Sequence, residues 1–245
     1  IRSGDLDGDG DPDLVFALEN GDVAWSANTD GAGSFGVLQT IATAQAAEDV
    51  QCADLDGDGL QDLLWSNRAM GPVHFALNQG GGSMGTVQTV TGSQLGRVAD
   101  IDGDGLDDLI SYSSASSALS WQRNLGGAFD AVLHDIGTGI ASPTDLVAAD
   151  LNGDGTMDVA VAEQFPDRLV WYANEDGAGG FGTEQEAGSA LSAPRSPAIG
   201  DLDGDGDAEL IATSVGQQRY ARYDNPSLAS FTSSARVFNE RHNNG

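Results

Sequence analysis

The chain has 245 residues, 38 of them acidic and 10 basic, for a formal net charge of −28. That length suits one large β domain, and the acidity excludes nucleic acid as a partner, because phosphate contacts need a basic surface. No apolar run approaches the ~18 residues of a membrane-spanning helix, so no membrane insertion is expected, and the single cysteine, Cys52, cannot form a disulfide within the chain.

Read from its first residue, the chain soon meets Asp5-Leu6-Asp7-Gly8-Asp9-Gly10-Asp11-Pro12-Asp13. The same nine-residue pattern, D-φ-[DN]-G-D-G-x-x-[DE] with φ apolar, returns at 54–62, 100–108, 150–158 and 201–209, the starts lying 49, 46, 50 and 51 residues apart. A near-constant period marks a repeat architecture. Oxygen ligands at positions 1, 3, 5 and 9 of a tight loop, with the carbonyl at position 7 as a fifth, suit calcium, which takes six to eight oxygens in irregular geometry. The expected ligands are Asp5, Asp7, Asp9, Asp11 and Asp13 in the first loop, Asp54, Asp56, Asp58, Leu60 and Asp62 in the second, and Asp100, Asp102, Asp104, Leu106 and Asp108 in the third. Asp150, Asn152, Asp154, Thr156 and Asp158 form the fourth set, and Asp201, Asp203, Asp205, Asp207 and Glu209 the fifth. Without a cation, so many carboxylates in nine residues would repel one another, so about five calcium ions are expected, one per repeat. An EF-hand is excluded: its position 12 needs Glu, and here that position holds Phe16, Trp65, Ser111, Val161 and Ala212.

Along the chain each repeat reads alike. An apolar segment enters the loop at 50–55, 98–101, 146–151 and 198–202, and a second strand leaves it at 14–18, 63–66, 109–112, 159–162 and 210–213. A third strand ends in an aromatic-x-x-Asn signature: Trp25 and Asn28, Phe75 and Asn78, Trp121 and Asn124, Trp171 and Asn174. The fifth repeat departs from it, with Arg222 in the aromatic position. A glycine-rich turn such as Asp30-Gly31-Ala32-Gly33 follows, and a fourth strand is expected to open at Phe35, Met84, Phe129, Phe181 and Phe231. Four antiparallel strands, five times over, predict an all-β propeller of five blades, bounded at 1–46, 47–93, 94–142, 143–193 and 194–245. The third-strand aromatics are expected to pack between blades, with glycan stacking as the lesser alternative. From fourth-strand opener to next loop is 19, 16, 21 and 20 residues, and joining the chain ends gives 19 for the fifth repeat. Five complete blades are therefore expected, with a segment of a larger ring as the alternative.

The five acidic loops together with the W-x-x-N…G-x-G-x-F segments resemble the FG-GAP/VCBS repeats of integrin-α-like propellers, over essentially the whole chain. The resemblance implies calcium in the loop joining the first and second strands of each blade. It leaves function wide: adhesion, lectin-like binding, or an accessory role in polysaccharide-active proteins.

Alternating strands put the calcium loops on one face, and the second-to-third turns and blade links on the other. Those opposite connections vary in sequence, as binding loops do. All ten basic residues are arginine; Arg68, Arg168 and Arg219 fall in the variable turns, and Arg2, Arg97, Arg195 and Arg241 in or beside the links. Arg68, Arg168 and Arg219 are therefore candidates for an anionic or polar ligand, against the alternative that they balance nearby acids. No catalytic motif is visible: His74, His134 and His242 lack metal-ligand spacing, and there is no G-x-S-x-G elbow. Glu163 and Asp167 share one turn and could pair, although a solvated turn is the simpler reading. The chain starts at Ile1 without Met or signal peptide, which suggests a mature or trimmed piece of a secreted protein. The expectation is a non-catalytic extracellular recognition or adhesion module with a protein or polysaccharide ligand; a carbohydrate-binding accessory domain and an architectural unit are the alternatives.

Overall fold

The computed structural model describes residues 1–43, 45–67, 71–188, 191–202, 204, 206, 208–214, 219–223 and 236–239; at 188, 219 and 236–239 it describes the backbone alone. Among the described residues there is no helix, and the strands form five four-stranded antiparallel sheets. The first sheet is β1 (Arg2–Gly4), β2 (Asp13–Ala17), β3 (Val23–Ser26) and β4 (Gln39–Ala42), and the second is β5 (Asp49–Ala53), β6 (Asp62–Ser66), β7 (Val73–Ala76) and β8 (Gln88–Val90). The third comprises β9 (Gln94–Ala99), β10 (Asp108–Ser113), β11 (Ala118–Gln122) and β12 (His134–Thr138). The fourth has β13 (Pro143–Ala149), β14 (Asp158–Glu163), β15 (Arg168–Tyr172) and β16 (Gln185–Gly188), and the fifth β17 (Pro194–Gly200), β18 (Glu209–Ser214), β19 (Arg219–Tyr223) and β20 (Arg236–Asn239). In every sheet the spatial order is the chain order, so each acidic loop joins the first two strands, as the sequence predicts.

Two differences from the sequence reading are physical. The first repeat has an entering strand, β1, which no apolar run announces, because Arg2, Ser3 and Gly4 pair with Val15, Leu14 and Asp13 through their backbones alone. The expected fourth-strand openers Phe35, Met84, Phe129 and Phe181 do not begin strands. Each makes an isolated bridge to the signature asparagine of its repeat, Asn28, Asn78, Asn124 or Asn174, and the strand starts four or five residues later. The bridge closes the glycine turn, and Gly36, Gly85 and Gly182 donate backbone N–H groups to Ala27, Leu77 and Ala173 just beyond it. Phe231 lies outside the described residues. The fifth sheet forms although Arg222 replaces the aromatic, with Arg222 opposite Ile211 and Arg236 in register.

The chain divides into two compact units: residues 1–98, 105–115 and 122–133 form one, and 99–104, 116–121 and 134–245 the other. In the first, Leu6, Val15, Val23, Trp25, Val50, Leu63 and Trp65 join the facing sides of the first two sheets into one core. In the second, Leu151, Ala160, Leu169, Trp171, Leu210 and Tyr223 do the same for the fourth and fifth sheets. The third-strand aromatics are inside: Trp25, Phe75 and Trp121 are each 3% exposed and Trp171 5%. That supports packing between repeats over glycan stacking.

A glycine accompanies two of these indoles. A Cβ on Gly82, which has φ of +72°, would lie 2.1 Å from Trp25, and one on Gly179, with φ of +85°, 2.2 Å from Trp121. The Trp121 indole N–H also donates to the Gly179 carbonyl at 3.2 Å. The aromatic of one repeat and the glycine turn of the next are thus complementary parts of one contact.

Candidate metal centre

The loops are held by their own side chains. Asp5 accepts the N–H groups of Gly8 at 2.8 Å and Gly10 at 2.9 Å, Asp7 that of Asp9, and Asp9 that of Asp11 at 2.9 Å. The second loop repeats the set with Asp54, Asp56 and Asp58. Gly8 and Gly10 take φ of +80° and +94°, which lets the chain turn back on the position-1 carboxylate at two points. Three carboxylate oxygens, one each from Asp5, Asp7 and Asp13, lie within 4.8 Å of one another, as do those from Asp54, Asp56 and Asp58. Oxygens bound at 2.3–2.6 Å to one calcium ion can be no further apart than about 5 Å, so both groups fit calcium. Burial raises the carboxyl of Asp7, with added repulsion from Asp13, Asp9 and Asp5, and burial raises that of Asp56, with repulsion from Asp58 and Asp54. A bound cation would relieve both effects.

The third loop is shared between the units, with Asp100, Asp102 and Asp104 in one and Leu106 and Asp108 in the other. Its first half repeats the turn: Gly103 donates to Asp100 and Asp104 to Asp102. In the fourth loop, Asp154 is already engaged by the Asn152 amide at 2.9 Å and the Thr156 hydroxyl at 2.6 Å. Those bonds outweigh desolvation and hold its carboxyl below the usual range. In the fifth, Asp201 holds Gly204 and Gly206, whereas Asp203, Asp205 and Asp207 lie outside the described residues.

Position 9 does more than the sequence suggests. Asp13 is fully buried; one of its oxygens accepts the Leu6 N–H at 2.9 Å and the other the Asn28 N–H at 2.8 Å. Asp62 holds Leu55 and Asn78, Asp158 holds Leu151 and Asn174, and Glu209 holds Leu202. Desolvation pushes the carboxyls of Asp62 and Asp158 up to about 6 against the pull of those hydrogen bonds. This carboxylate therefore ties the loop to the end of the third strand, and its other lone pairs are what it can offer a metal. The signal was in the sequence: position 3 tolerates Asn152, but position 9 varies only to Glu209, as a site facing two N–H donors requires.

The signature asparagine completes the arrangement. Asn78 donates its side-chain amide to the Leu6 carbonyl of the preceding loop at 2.7 Å and to Gln61 at 3.0 Å, and accepts the Gly80 N–H at 3.0 Å. Asn124 reaches Leu55 at 2.8 Å in the same way, and Asn174 reaches Ile101 at 2.9 Å.

The arginine candidates fare differently. Arg168 is bound in ion pairs to Glu163, at 2.9 Å, and to Glu184. Glu163 is not part of a solvated turn; it is fully buried at the end of β14 and also accepts the Ala141 N–H at 2.7 Å. Asp167 does not pair with it but holds Ser192 and the Ala193 N–H. Asp49 takes both Arg2, at 3.1 Å, and Arg97, at 2.7 Å. These arginines balance acids, the alternative weighed above. Arg68, Arg241 and His242, and the side chain of Arg219, lie outside the described residues.

The FG-GAP-like repeat model matches residues 5–65, 54–111, 100–161 and 150–212. The chain belongs to the FG-GAP-like repeat family. Among solved structures, this FG-GAP-like chain is similar to an Agrocybe aegerita lectin described as recognising non-reducing terminal N-acetylglucosamine, with 24% identity and a TM-score of 0.57 over 77% of this chain and 51% of the lectin. It thus spans about half the length of that lectin. BBS1N, solved in complex with ARL6DN, matches at 12% identity and a TM-score of 0.62, covering 97% of this chain and 67% of BBS1N. An auxiliary nutrient binding protein from Bacteroides ovatus matches at 11% identity and 0.57, covering 96% and 55%. These likenesses show the β-propeller-like fold. Comparison with curated proteins gives no match.

Proposed function

We propose that this chain is a non-catalytic, extracellular recognition module whose acidic loops bind calcium. The gathering of three carboxylate oxygens within 4.8 Å in each of the first two loops carries the reading. Surface loops braced mainly by backbone N–H groups suit the weak sites of extracellular modules, which bind calcium at millimolar levels. The metal's work is structural: it neutralises carboxylates that already hold the first two strands of a sheet together. Recognition falls to the variable turns and links of a rigid scaffold. Binding of a carbohydrate by an accessory domain is the second reading, favoured by the lectin and the nutrient-binding protein among the structural neighbours.

Calorimetry with calcium, followed by thermal melting in calcium and in chelator, tests the metal. A site with a dissociation constant of about 0.1 mM adds roughly 2.7 kcal/mol at 10 mM calcium. The expected result is measurable calcium uptake, little response to magnesium, and a melting temperature that falls by well over a few degrees in chelator. Identical melting curves with and without chelator would overturn the proposal.

A further inference from the structure

We infer that a cleft of about 610 Å³ beside β8 is a binding site for a neutral saccharide unit, which rests on the recognition-module reading and names its ligand class. One wall is the outer strand of the second sheet, with Gln88, Thr89 and Val90, and Thr91 beyond it; the facing wall is the segment from Ala128 to Leu133. The floor is aromatic: Phe75, opposite Gln88 in register, meets Phe129 edge-on at 5.2 Å between ring centres. The size falls in the range of small-molecule sites, which runs from about 300 to 1,000 Å³.

The lining chooses the chemistry. Among the described residues it contains no cationic side chain and one carboxylate, Asp130, in a chain of net charge −28, so an anionic ligand is disfavoured. Gln88 and Thr91 present amide and hydroxyl groups that both donate and accept, as sugar hydroxyls require. Phe129, half-buried, offers an apolar edge for the C–H face of a pyranose. The cleft is also built rather than incidental. Gln122, 6% exposed at its back, donates to the Asp130 carbonyl at 2.5 Å, and the Asp130 carboxylate in turn accepts the Val132 N–H, so the 128–133 wall is fixed from inside. At three residues, β8 is too short an edge for strand addition by a peptide.

The test uses the full chain in calcium, titrated with glucose, galactose, mannose and N-acetylglucosamine, each to about 50 mM, which detects even millimolar dissociation constants. Amide chemical shifts locate binding on the unaltered protein, and calorimetry compares it with Gln88→Ala and Ala131→Trp, both at exposed positions on opposite walls. The expected result is that at least one sugar moves the amides of Gln88, Thr89 and Asp130, and that each variant weakens it by about tenfold or more at an unchanged melting temperature. Shifts confined elsewhere, or binding untouched by both variants, would overturn the cleft while leaving a recognition module standing. No response to any of the four sugars would also overturn the cleft, and the calcium reading would still be judged separately by uptake and chelator melting.

Discussion

Replacing Asn78 by Asp swaps one atom group without changing shape, and the structure says what it should cost. The Asn78 amide donates to two carbonyls, Leu6 at 2.7 Å and Gln61 at 3.0 Å, from a side chain only 3% exposed. Aspartate would turn an acceptor oxygen toward both. Leu6 would keep the Gly82 N–H at 3.0 Å, whereas the Gln61 carbonyl would lose the Asn78 donor. Leaving the Gln61 carbonyl without its donor costs ~1–3 kcal/mol and losing the second bond at Leu6 ~0.5–1.5 kcal/mol, so the change comes to roughly 1.5–4.5 kcal/mol. The new carboxyl would also be buried beside Asp62, so its folded pKa should stand above its unfolded value. The deficit should then be largest at neutral pH and shrink as pH falls and the carboxyl protonates, regaining one donor. Urea unfolding followed by tryptophan fluorescence at pH 7 and pH 5 measures both effects, since Trp25 and Trp65 lie in the same core. A loss under about 0.5 kcal/mol at pH 7, within the range of ordinary surface substitutions, would refute the role given to the asparagine.

Three further outcomes follow from the same contacts. Gly82→Ala should destabilise by about 2–4 kcal/mol, since a Cβ there meets Trp25 at 2.1 Å in a left-handed conformation; a neutral urea midpoint would contradict the fit of indole to turn. Ala46→Gly should stabilise slightly, by at most about 1 kcal/mol, because Ala46 sits at φ of 52° in a link where the next repeat has Gly92 at φ of 82°; thermal melting decides the sign. Burial pushes the Cys52 thiol up to about 11, so the native thiol should react with a disulfide reagent at pH 8 about a hundredfold more slowly than in urea. Because that shift is upward, its contribution to stability is lost only as pH rises from about 9 towards 11, and equal reaction rates in the native and unfolded states would remove the argument.

The repeat, the strand order and the placing of the loops were legible because each is written in local chemistry: glycines where the chain must turn back, carboxylates where N–H groups converge, short apolar runs between. What was not legible depends on partners distant in sequence. Asn78 and Leu6 are 72 residues apart, so the asparagine signature could be seen but not what it held. Glu163 looked like a turn residue, and only the meeting of Ala141 and Arg168 around it explains why it is buried charged. Phe35 and its equivalents looked like strand starts because an aromatic after a turn commonly is one; the bridge to Asn28 keeps them in the turn instead. The arginines show the limit most clearly: their number is plain in the sequence, but the acids that pair with Arg2, Arg97 and Arg168 are brought to them only by the fold.

The loops of the first unit are also joined in series. The Leu6 peptide is held from both sides: its N–H by Asp13 of its own loop, its carbonyl by Asn78 of the next repeat. Asn78 gives its backbone N–H to Asp62, which holds the N–H of Leu55, whose carbonyl takes the amide of Asn124, which gives its N–H to Asp108. The chain of hydrogen bonds therefore alternates between a position-9 carboxylate and a signature asparagine, one pair per repeat. This explains why the two motifs occur together although they lie 15 or 16 residues apart. It also places the acidic groups where neutralising them does most, since Asp62 and Asp108, both proposed to meet calcium at position 9, already brace their own repeats and, through the asparagine each holds, join them to their predecessors. An isolated repeat would keep only half of these bonds, the same reason that a single sheet with two apolar faces cannot stand alone.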